Sequence, residues 1–312
     1  MKRILLLGLL VIQTASANEL SMMTAEGFGF SDATRFSEAQ ARLMALRAAK
    51  IDAQRNLLEV INGVRVTAGT TVKDMTLESD IIGTRVKGML QGAFETASDV
   101  TLQDGNWVAS VTMAVCMDKT ALECRAKPTL AAITQPSLVV TPEEDRFGVA
   151  DLPPAAVAVV QTEVAVPVAA MVEDTADVEV TNADSTAIAT VASEGNVALQ
   201  NSRVTGLILD ASALNYTPML DVRVRTQRGK ELYGPGHVPM GSDWLHWAPS
   251  LESAQNMEEI IGESPIVIVP EALGEATELV VNDADAIALF TSNTLNQDFL
   301  ASGKVIIVVS GS

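Results

Sequence analysis

The chain has 312 residues, a formal net charge of −18 and a sequence pI near 4.4. Binding of nucleic acid or of an anionic membrane surface requires clustered lysine and arginine, so this charge balance argues against both classes of partner. The length is sufficient for two domains of ordinary size.

Residues 1–17 have the form of a signal peptide. Two basic residues precede an apolar run over 4–12, and the stretch from Ala15 to Ala17 has the small-residue pattern of a cleavage site. The apolar run is too short for a stable membrane anchor. No cysteine follows it that could carry a lipid. We therefore expect an exported protein that begins near Asn18, without a direct lipid anchor.

A first strand is predicted over 20–30, and it contains a Gly-x-Gly pattern at Gly27 and Gly29. A dinucleotide-binding loop would need a third glycine and an immediate helix, whereas the sequence SDATRF follows here. We interpret the two glycines as a strand irregularity or as a place where another backbone approaches closely.

The stretch from Ser37 to Gly63 predicts one long helix, because it contains no Gly or Pro between its ends and is rich in strong helix formers. Ser37 with Gln40 has the form of a capping box. Gly63 stands where a left-handed residue would end the helix. At 1.5 Å per residue the helix would be roughly 37 Å long.

One side of this helix is smooth, since Ala41, Ala45 and Ala48, joined by Asp52, follow one another at three- and four-residue spacing. Two interpretations are open. Either a sheet covers this side, or the sheet takes another side and a second subunit packs on the alanines. We favour a helix lying across a sheet and keep the four residues as a candidate protein interface.

Strand patterns follow the helix. Alternation over 64–67, a strand-like run over 91–102, a hairpin signal at Asp104-Gly105 and a returning strand over 107–115 predict a mostly antiparallel sheet. Together with the long helix, these strands define residues 18–125 as an α+β domain.

Cys116 and Cys124 are the only two cysteines of the chain. In an oxidising compartment a disulfide between them is expected. Eight residues along a straight helix would separate the two by about 12 Å, which is too far for a bridge. The chain between them must therefore turn back.

Five short segments of this domain occur in a fixed order. They are ALRAA (45–49), DA (52–53), LLEVINGVRV (57–66), GMLQGA (88–93) and DGNWVASV (104–111). This series resembles the LPP-type family of twenty-kilodalton outer-membrane lipoproteins, which includes a flagellar assembly protein. The resemblance implies a protein of the periplasm or outer membrane with no known enzymatic activity, which in some members forms rings around a flagellar motor. The chain departs from the lipoprotein members because it lacks their lipid-bearing cysteine.

Residues 126–201 have the composition of a linker. Between Phe147 and Asn201 there is no Lys, Arg, Trp, Tyr or Phe, while Ala, Val, Thr and acidic residues dominate. Such a segment lacks the large side chains of a core and is extended where proline occurs. The Ala-Val runs at 156–159 and 164–170 leave a docking strand open as the alternative.

Residues 202–312 predict a second α+β domain. Strands are expected over 203–209, 219–225, 231–233, 265–269, 277–281 and 304–309, and helices over 250–261 and from Asn282 or Asp283 to Asn293. The order VTGLILDA (204–211), PMLDVRV (218–224), GKELYG (229–234), VVNDADA (280–286) and FLASGKVIIVV (299–309) is similar to a C-terminal module of uncharacterised exported proteins of bacteria with two membranes.

Candidate catalytic and metal-binding residues are few. His237 and His246 are the only histidines, and a zinc site would need three or four converging ligands. Ser242, Asp243 and His246 lie too close in sequence for a catalytic triad, and no GxSxG motif is present. The remaining acidic candidates have a sufficient role as turn and helix-cap residues; they are Asp210, Asp283 and Asp285.

Trp244 and Trp247 flank His246 and allow two interpretations. They form a packing corner, or they form an exposed aromatic patch that contacts a partner. We keep both tryptophans as candidate interface residues.

The sequence thus favours a non-enzymatic envelope protein with two α+β domains on an acidic linker. We expect no cofactor and no metal. The partners would be further copies of the chain or other envelope or flagellar assembly proteins. The alternative is a periplasmic binding module that takes a peptide or a small ligand near Trp244 and Trp247.

Overall fold

A computed structural model of the chain describes residues 18–164 and 203–310. The predicted signal peptide over 1–17 and the part of the predicted linker from 165 to 201 lie outside these residues. The described residues form two α+β modules, as the sequence predicted. We call 18–125 the first module, 126–164 the connecting segment and 203–310 the second module.

The first module is a three-stranded antiparallel sheet with one long helix on one face. Its strands are ordered β1-β3-β2. Its elements are α1 (Asn18–Ser21), β1 (Met22–Asp32), α2 (Glu38–Gly63), α3 (Val72–Glu78), α4 (Asp80–Gln91), β2 (Phe94–Gln103) and β3 (Asn106–Cys116).

Helix α2 confirms the predicted long helix. The Ser37 hydroxyl accepts a hydrogen bond from the Gln40 backbone N–H at 3.4 Å, which satisfies one free donor of the first turn. The prediction for its end is wrong in one detail. Gly63 is the last helical residue, and the cap is Val64 at φ −62°, so no left-handed residue is used.

The two glycines of β1 mark a close approach of two backbones, one of the two alternatives that the sequence left open. A Cβ on Gly27 would lie 2.0 Å from the Ala53 nitrogen, and a Cβ on Gly29 would lie 2.3 Å from the Ala45 carbonyl oxygen. Only glycine allows the strand to lie this close to α2.

The hairpin between β2 and β3 also forms as predicted. Asp104 at φ 47° and Gly105 at φ 80° occupy the left-handed region that a tight two-residue turn requires. The strand predicted over 64–67 is wrong, since this stretch makes only an isolated bridge between Arg65 and Thr71. The carbonyl groups of Arg65 and Val66 accept hydrogen bonds from the second module instead.

The linker prediction is wrong for its first part. The connecting segment contains α5 (Leu130–Thr134), three single turns of 3₁₀-helix and α6 (Pro154–Val164). Leu130, Ala131 and Leu138 are buried in the same core as residues of both modules. The segment lacks the large side chains for a core of its own, but small apolar side chains are sufficient to cover a core supplied by others.

The second module contains two four-stranded sheets. Its elements are β4 (Leu207–Asp210), β5 (Val224–Thr226), β6 (Glu231–Tyr233), β7 (His246–Ala248), α7 (Leu251–Gln255), α8 (Glu258–Ile261), β8 (Ile266–Ile268), β9 (Ala272–Leu273), β10 (Leu279–Val281), α9 (Asp283–Leu295) and β11 (Val305–Val308). One sheet is parallel throughout in the order β7-β11-β4-β8, and the other is mixed in the order β6-β5-β10-β9.

Most predicted elements of this module are present. All four residues of β11 are buried, as expected for a central strand of a covered parallel sheet. The single helix predicted over 250–261 is instead two short helices, α7 and α8, and Gly262 at φ 74° ends the second. Asn282 caps α9 by accepting a hydrogen bond from the Asp285 N–H.

The two modules and the connecting segment share one hydrophobic core. The backbone N–H groups of Leu220 and Asp221 donate to the carbonyl oxygens of Arg65 and Val66 at 3.0 and 2.7 Å. The first module therefore contributes backbone partners to the second. Within the described ranges, no helix is long and apolar enough to cross a membrane.

Candidate functional site

A disulfide closes a short loop at the end of the first module. The Sγ atoms of Cys116 and Cys124 are 2.01 Å apart, which confirms the predicted pair. The chain turns back between them through a short 3₁₀-helix at Leu122–Cys124, as the separation of eight residues required. Both cysteines are buried, so the bond is part of the packed structure.

Asp118 lies within the loop that the disulfide closes, and it connects the two modules. Its carboxylate accepts hydrogen bonds from the Thr120 N–H and hydroxyl and from the Trp247 N–H at 3.0 Å. Burial disfavours the charged form and raises the pKa of Asp118 to about 6. A strand of the second module, β7, is thus held by a carboxylate of the first.

One face of the first-module sheet is covered only at one end, where Met22 and Phe94 pack against the disulfide loop. Helix α2 takes the face with Gly27 and Gly29, so the alternate residues of β1 point to the opposite side. There Phe28 is 61% exposed and Phe30 is 79% exposed, and Val108 of β3 lies opposite Phe30. Exposed aromatic side chains that are neighbours on one sheet face mark an interaction site. We call this surface the open sheet face.

The open sheet face carries acidic groups, and a basic side chain, Lys127, lies at its covered end with Nζ 4.4 Å from the centre of the Phe94 ring. Glu26 of β1 and Asp99 of β2 are exposed there. The sequences of β1, β2 and β3 contain no Lys or Arg at all. Aromatic side chains and negative charge are therefore combined on one surface.

The outward side of α2 has the opposite charge. Arg42, Arg47, Lys50 and Arg55 are all exposed, and none forms an ion pair within the described part of the chain. Leu43, Met44 and Ile51 lie among them with 49%, 40% and 61% exposure. We call this surface the outer helix face. On a chain of net charge −18, four unpaired cations on one helix are a concentrated basic patch.

A buried ion network occupies the mixed sheet of the second module. Arg223 donates to both oxygens of Asp221, at 2.8 and 3.2 Å, and to Glu231 Oε2 at 3.0 Å. The Thr141 hydroxyl, from the connecting segment, donates to the same oxygen of Glu231 at 2.5 Å. Glu231 is fully buried, so these partners hold a carboxylate that would otherwise be costly to desolvate.

Burial and charge act against each other on these groups. Burial raises the pKa of Asp221, although Arg223 lowers it. For Arg223, burial disfavours the charge, but the hydrogen bond and charge of Asp221 outweigh it, so the pKa of Arg223 is raised. Burial lowers the pKa of His237, whose Nδ1 lies 3.8 Å from Glu231 Oε1. Neither of these two atoms has a hydrogen-bond partner within the described ranges.

Beside this network lies a cavity of about 350 Å³ that we call the junction cavity. It is lined by parts of both modules and of the connecting segment, namely Thr67, Val139, Thr141, Pro142, Asp145, Asp221, Arg223, Arg225, Ala276 and Glu278. Clefts of this size with a few polar groups are the usual form of small-molecule sites.

The alanine side of α2 is covered by the sheet, as the favoured interpretation expected. Ala41 and Ala45 are fully buried, together with Ala49 and Ala53, whereas Ala48 is exposed. Asp52 accepts a hydrogen bond from the Phe28 backbone N–H at 3.0 Å and so fastens the helix to β1. The alternative of a second subunit on Ala41 and Ala45 is therefore wrong, because β1 already occupies that space.

The tryptophans form a packing corner and not an exposed patch. Trp244 and Trp247 are 0% and 1% exposed. Trp244 Nε1 donates to the Ala131 carbonyl oxygen at 3.4 Å, and its ring lies beside Tyr233. Because they are buried, neither can serve as a contact residue for a partner.

The remaining candidates have structural roles. His246 is buried in β7, and burial lowers its pKa to about 4. Asp243 accepts a hydrogen bond from Thr129 at 3.3 Å, so it is not joined to His246 or Ser242. The acidic candidates act locally: Asp210 bonds Ser212, Asp283 pairs with Arg228, and Asp285 bonds Asn282. In the described parts, no group of three or more His, Cys, Asp or Glu could hold a metal ion.

The open sheet face and the junction cavity were not predicted. The open sheet face could have been predicted from the pattern GFGF, because side chains alternate along a strand and both Phe side chains therefore lie on the face opposite the glycines. The junction cavity could have been predicted from Arg223 and Arg225 in a mostly apolar strand, since buried strands rarely carry charge without a partner.

A comparison with known proteins matches the second module to a protein family. Residues 206–311 match a family model described as the second domain of Treponema pallidum Tp0624. The match covers about a third of the chain and lies on the second module. No curated protein matches the chain.

Proposed function

We propose that this protein is a non-enzymatic structural or assembly protein of the cell envelope, and that it self-associates through its first module. The observation that supports self-association is the complementarity of the open sheet face and the outer helix face. One combines Phe28 and Phe30 with acidic groups, and the other combines Leu43 and Ile51 with four cations. The occupant that fits the open sheet face is therefore the outer helix face of a second copy.

This contact would complete the layer structure of the first module. Its sheet is covered by a helix on one face and by the disulfide loop at one end of the other face, and a neighbouring α2 would cover the rest. Because two different surfaces meet, the contact is heterologous. It would produce a closed ring or an open filament rather than a two-fold dimer.

The test is the mass of the assembly, measured by sedimentation velocity on the exported chain. Because the faces are oppositely charged and exposed, we expect association to weaken as salt rises from about 0.05 to 0.5 M. Two charge-reversed variants should each remain monomeric, one on the helix (Arg47→Glu with Lys50→Glu) and one on the sheet (Glu26→Lys with Asp99→Lys).

An equal mixture of the two charge-reversed variants is the decisive test. In the mixture, the reversed helix face of one variant can pack on the reversed sheet face of the other, so complexes should form that neither variant forms alone. Lys73→Glu with Lys87→Glu makes the same charge change on exposed positions of α3 and α4 and should associate normally. A wild-type chain that stays monomeric at all salt concentrations, or a mixture that stays monomeric, would overturn the proposed contact.

The envelope location rests on the predicted signal peptide and on the LPP-type resemblance. The flagellar base is the most specific form of this proposal. Cell fractionation with N-terminal sequencing tests export, since the periplasmic protein should begin near Asn18. Disruption of the gene should reduce motility if the assembly belongs to the flagellum, and unchanged motility would remove that part of the proposal.

The second candidate function is binding of a peptide or small ligand. The junction cavity favours it, because it is a concave, charged site formed by three parts of the chain. The sequence prediction placed this ligand site near Trp244 and Trp247, whereas neither tryptophan lines the junction cavity.

A further inference from the structure

The junction cavity contains polar groups whose bonding capacity is not used. Arg223 and Thr141 are fully engaged with Asp221 and Glu231. Arg225 is not, since its buried Nε–H has no hydrogen-bond partner within the described residues. The nearest carboxylate oxygens to the Arg225 guanidinium are Glu231 Oε2 at 3.7 Å and Glu278 Oε1 at 3.8 Å, which is beyond hydrogen-bond length.

Acceptors are also unused on the same wall. Glu278 Oε2 accepts from the Ala276 N–H at 3.0 Å, while Glu278 Oε1 makes only the long contact to Arg225 among the residues that the structure describes. Asp145 lines the cavity from the connecting segment, with an exposed side chain and no ion pair among the described residues. A ligand for this site must therefore accept from one guanidinium N–H and donate to two carboxylates.

The charge of the site selects among such ligands. The charged groups that line the cavity are three carboxylates, Asp145, Asp221 and Glu278, and two guanidinium groups, Arg223 and Arg225. Negative charge is in excess, so a ligand that carries a positive charge is favoured over a neutral or anionic one. The unpaired Nε–H of Arg225 further favours an oxygen acceptor next to that positive charge.

We propose that the junction cavity binds the free amino end of a short peptide. The ammonium group lies between Glu278 and Asp145, and the adjacent carbonyl oxygen accepts from Arg225 Nε. Val139, Pro142 and Ala276 form the apolar part of the wall, against which a small side chain packs. A cavity of about 350 Å³ lies at the small end of the range for ligand sites, which limits the bound part to one or two residues.

This proposal is independent of self-association, because no residue of the open sheet face or the outer helix face lines the cavity. The experiment is isothermal titration calorimetry on the full exported chain with dialanine and with N-acetyl-dialanine. Acetylation removes the ammonium charge and leaves the rest of the peptide unchanged. We expect dialanine to bind at least tenfold more tightly than its acetylated form.

Two variants test the carboxylates. Glu278→Gln and Asp145→Asn should each weaken dialanine binding by about tenfold. Glu275→Gln is the matched control, because it removes the same charge from the same turn at a residue that does not line the cavity. Asp145 is exposed and makes no ion pair in the described residues, so its variant should fold even if Glu278→Gln does not.

Three results would overturn the proposal. They are no binding of dialanine at millimolar concentration, equal binding of the acetylated peptide, and full binding by the Asp145→Asn variant with a normal thermal melt.

Discussion

In the first module a helix meets a sheet through alanines and glycines, whereas in the second module large side chains fill the space between strands and helices. Ala45, Ala49 and Ala53 lie directly on Gly27 and Gly29. The second module instead buries Trp244, Trp247 and Tyr233 completely or nearly so. Small residues bring two backbones close but bury little apolar area, and large residues bury much area at a greater distance.

The difference explains where surface is left free. One helix can cover only one face of a three-stranded sheet, so Phe28 and Phe30 on the other face of the first module remain exposed. The central strands β4 and β11 of the second module are buried almost throughout, and the candidate site that this module contributes to is the junction cavity. Two architectures in one chain thus offer two kinds of site, an open face and a cleft.

The largest effect is expected from removing a large side chain of the second module. Trp244→Ala should lower the free energy of unfolding by about 3–5 kcal/mol, because it leaves a cavity in a closely packed core. Trp107 is only half-buried in β3 of the first module, so Trp107→Ala should cost clearly less. Urea denaturation of both variants gives the comparison. Equal losses would show that the first module depends on large side chains as much as the second does.

An intermediate effect is expected at the point where the modules meet. The pKa of Asp118 is raised by burial to about 6 in the folded protein, above its ordinary value of 3.8. The folded state therefore binds this proton more tightly, and the stabilisation is present below pH 4 and lost as the pH rises through 6.

The size of this stabilisation follows from the difference between the folded and ordinary pKa of Asp118 and is at most about 3 kcal/mol. Replacement by Asn keeps an acceptor for the Trp247 N–H but removes the titration. The stability of the wild type relative to Asp118→Asn should thus increase between pH 7 and pH 4, as measured by urea denaturation at each pH. A difference that does not change with pH would contradict the raised pKa.

The smallest effect is expected from adding one methyl group to β1. Gly29→Ala places a Cβ against the backbone of α2, and overpacking of this kind costs about 1–3 kcal/mol. Gly88→Ala is the matched control, since a Cβ there meets nothing within 4 Å and alanine favours the helix. Thermal melts should show destabilisation for the first and equal or higher stability for the second. A normal melt for Gly29→Ala would mean that α2 can move away from the sheet at little cost.

Local chemistry made much of the first module predictable. Ser37 starts α2, Asp104-Gly105 forms the hairpin, and Cys116 with Cys124 forms the disulfide, because each depends on residues close in sequence. Strand β7 was not predictable in the same way. Its pairing with β11 is parallel and joins distant parts of the chain, so no local pattern specifies it.

The connecting segment and the two candidate sites also depend on contacts between distant parts of the chain. Leu130 and Ala131 were predicted to be linker residues because the core that they cover is formed by the two modules. Arg225 and Glu278 come together only after β5 and β10 pair, and Asp145 joins them from the connecting segment. Sequence alone could identify Phe28 and Phe30 as one face of a strand, but not that the face stays uncovered.

The hydrogen bond between Asp118 and Trp247 has a consequence for how the chain folds in time. It joins residues 129 positions apart, so the first module cannot complete its contacts until most of the second has been synthesised. Closing so long a loop is slow, because its entropic cost must be met before any contact within it forms. The disulfide joins residues only eight positions apart, so its loop can close early. The covalent bond would therefore fix the end of β3 before the second module folds.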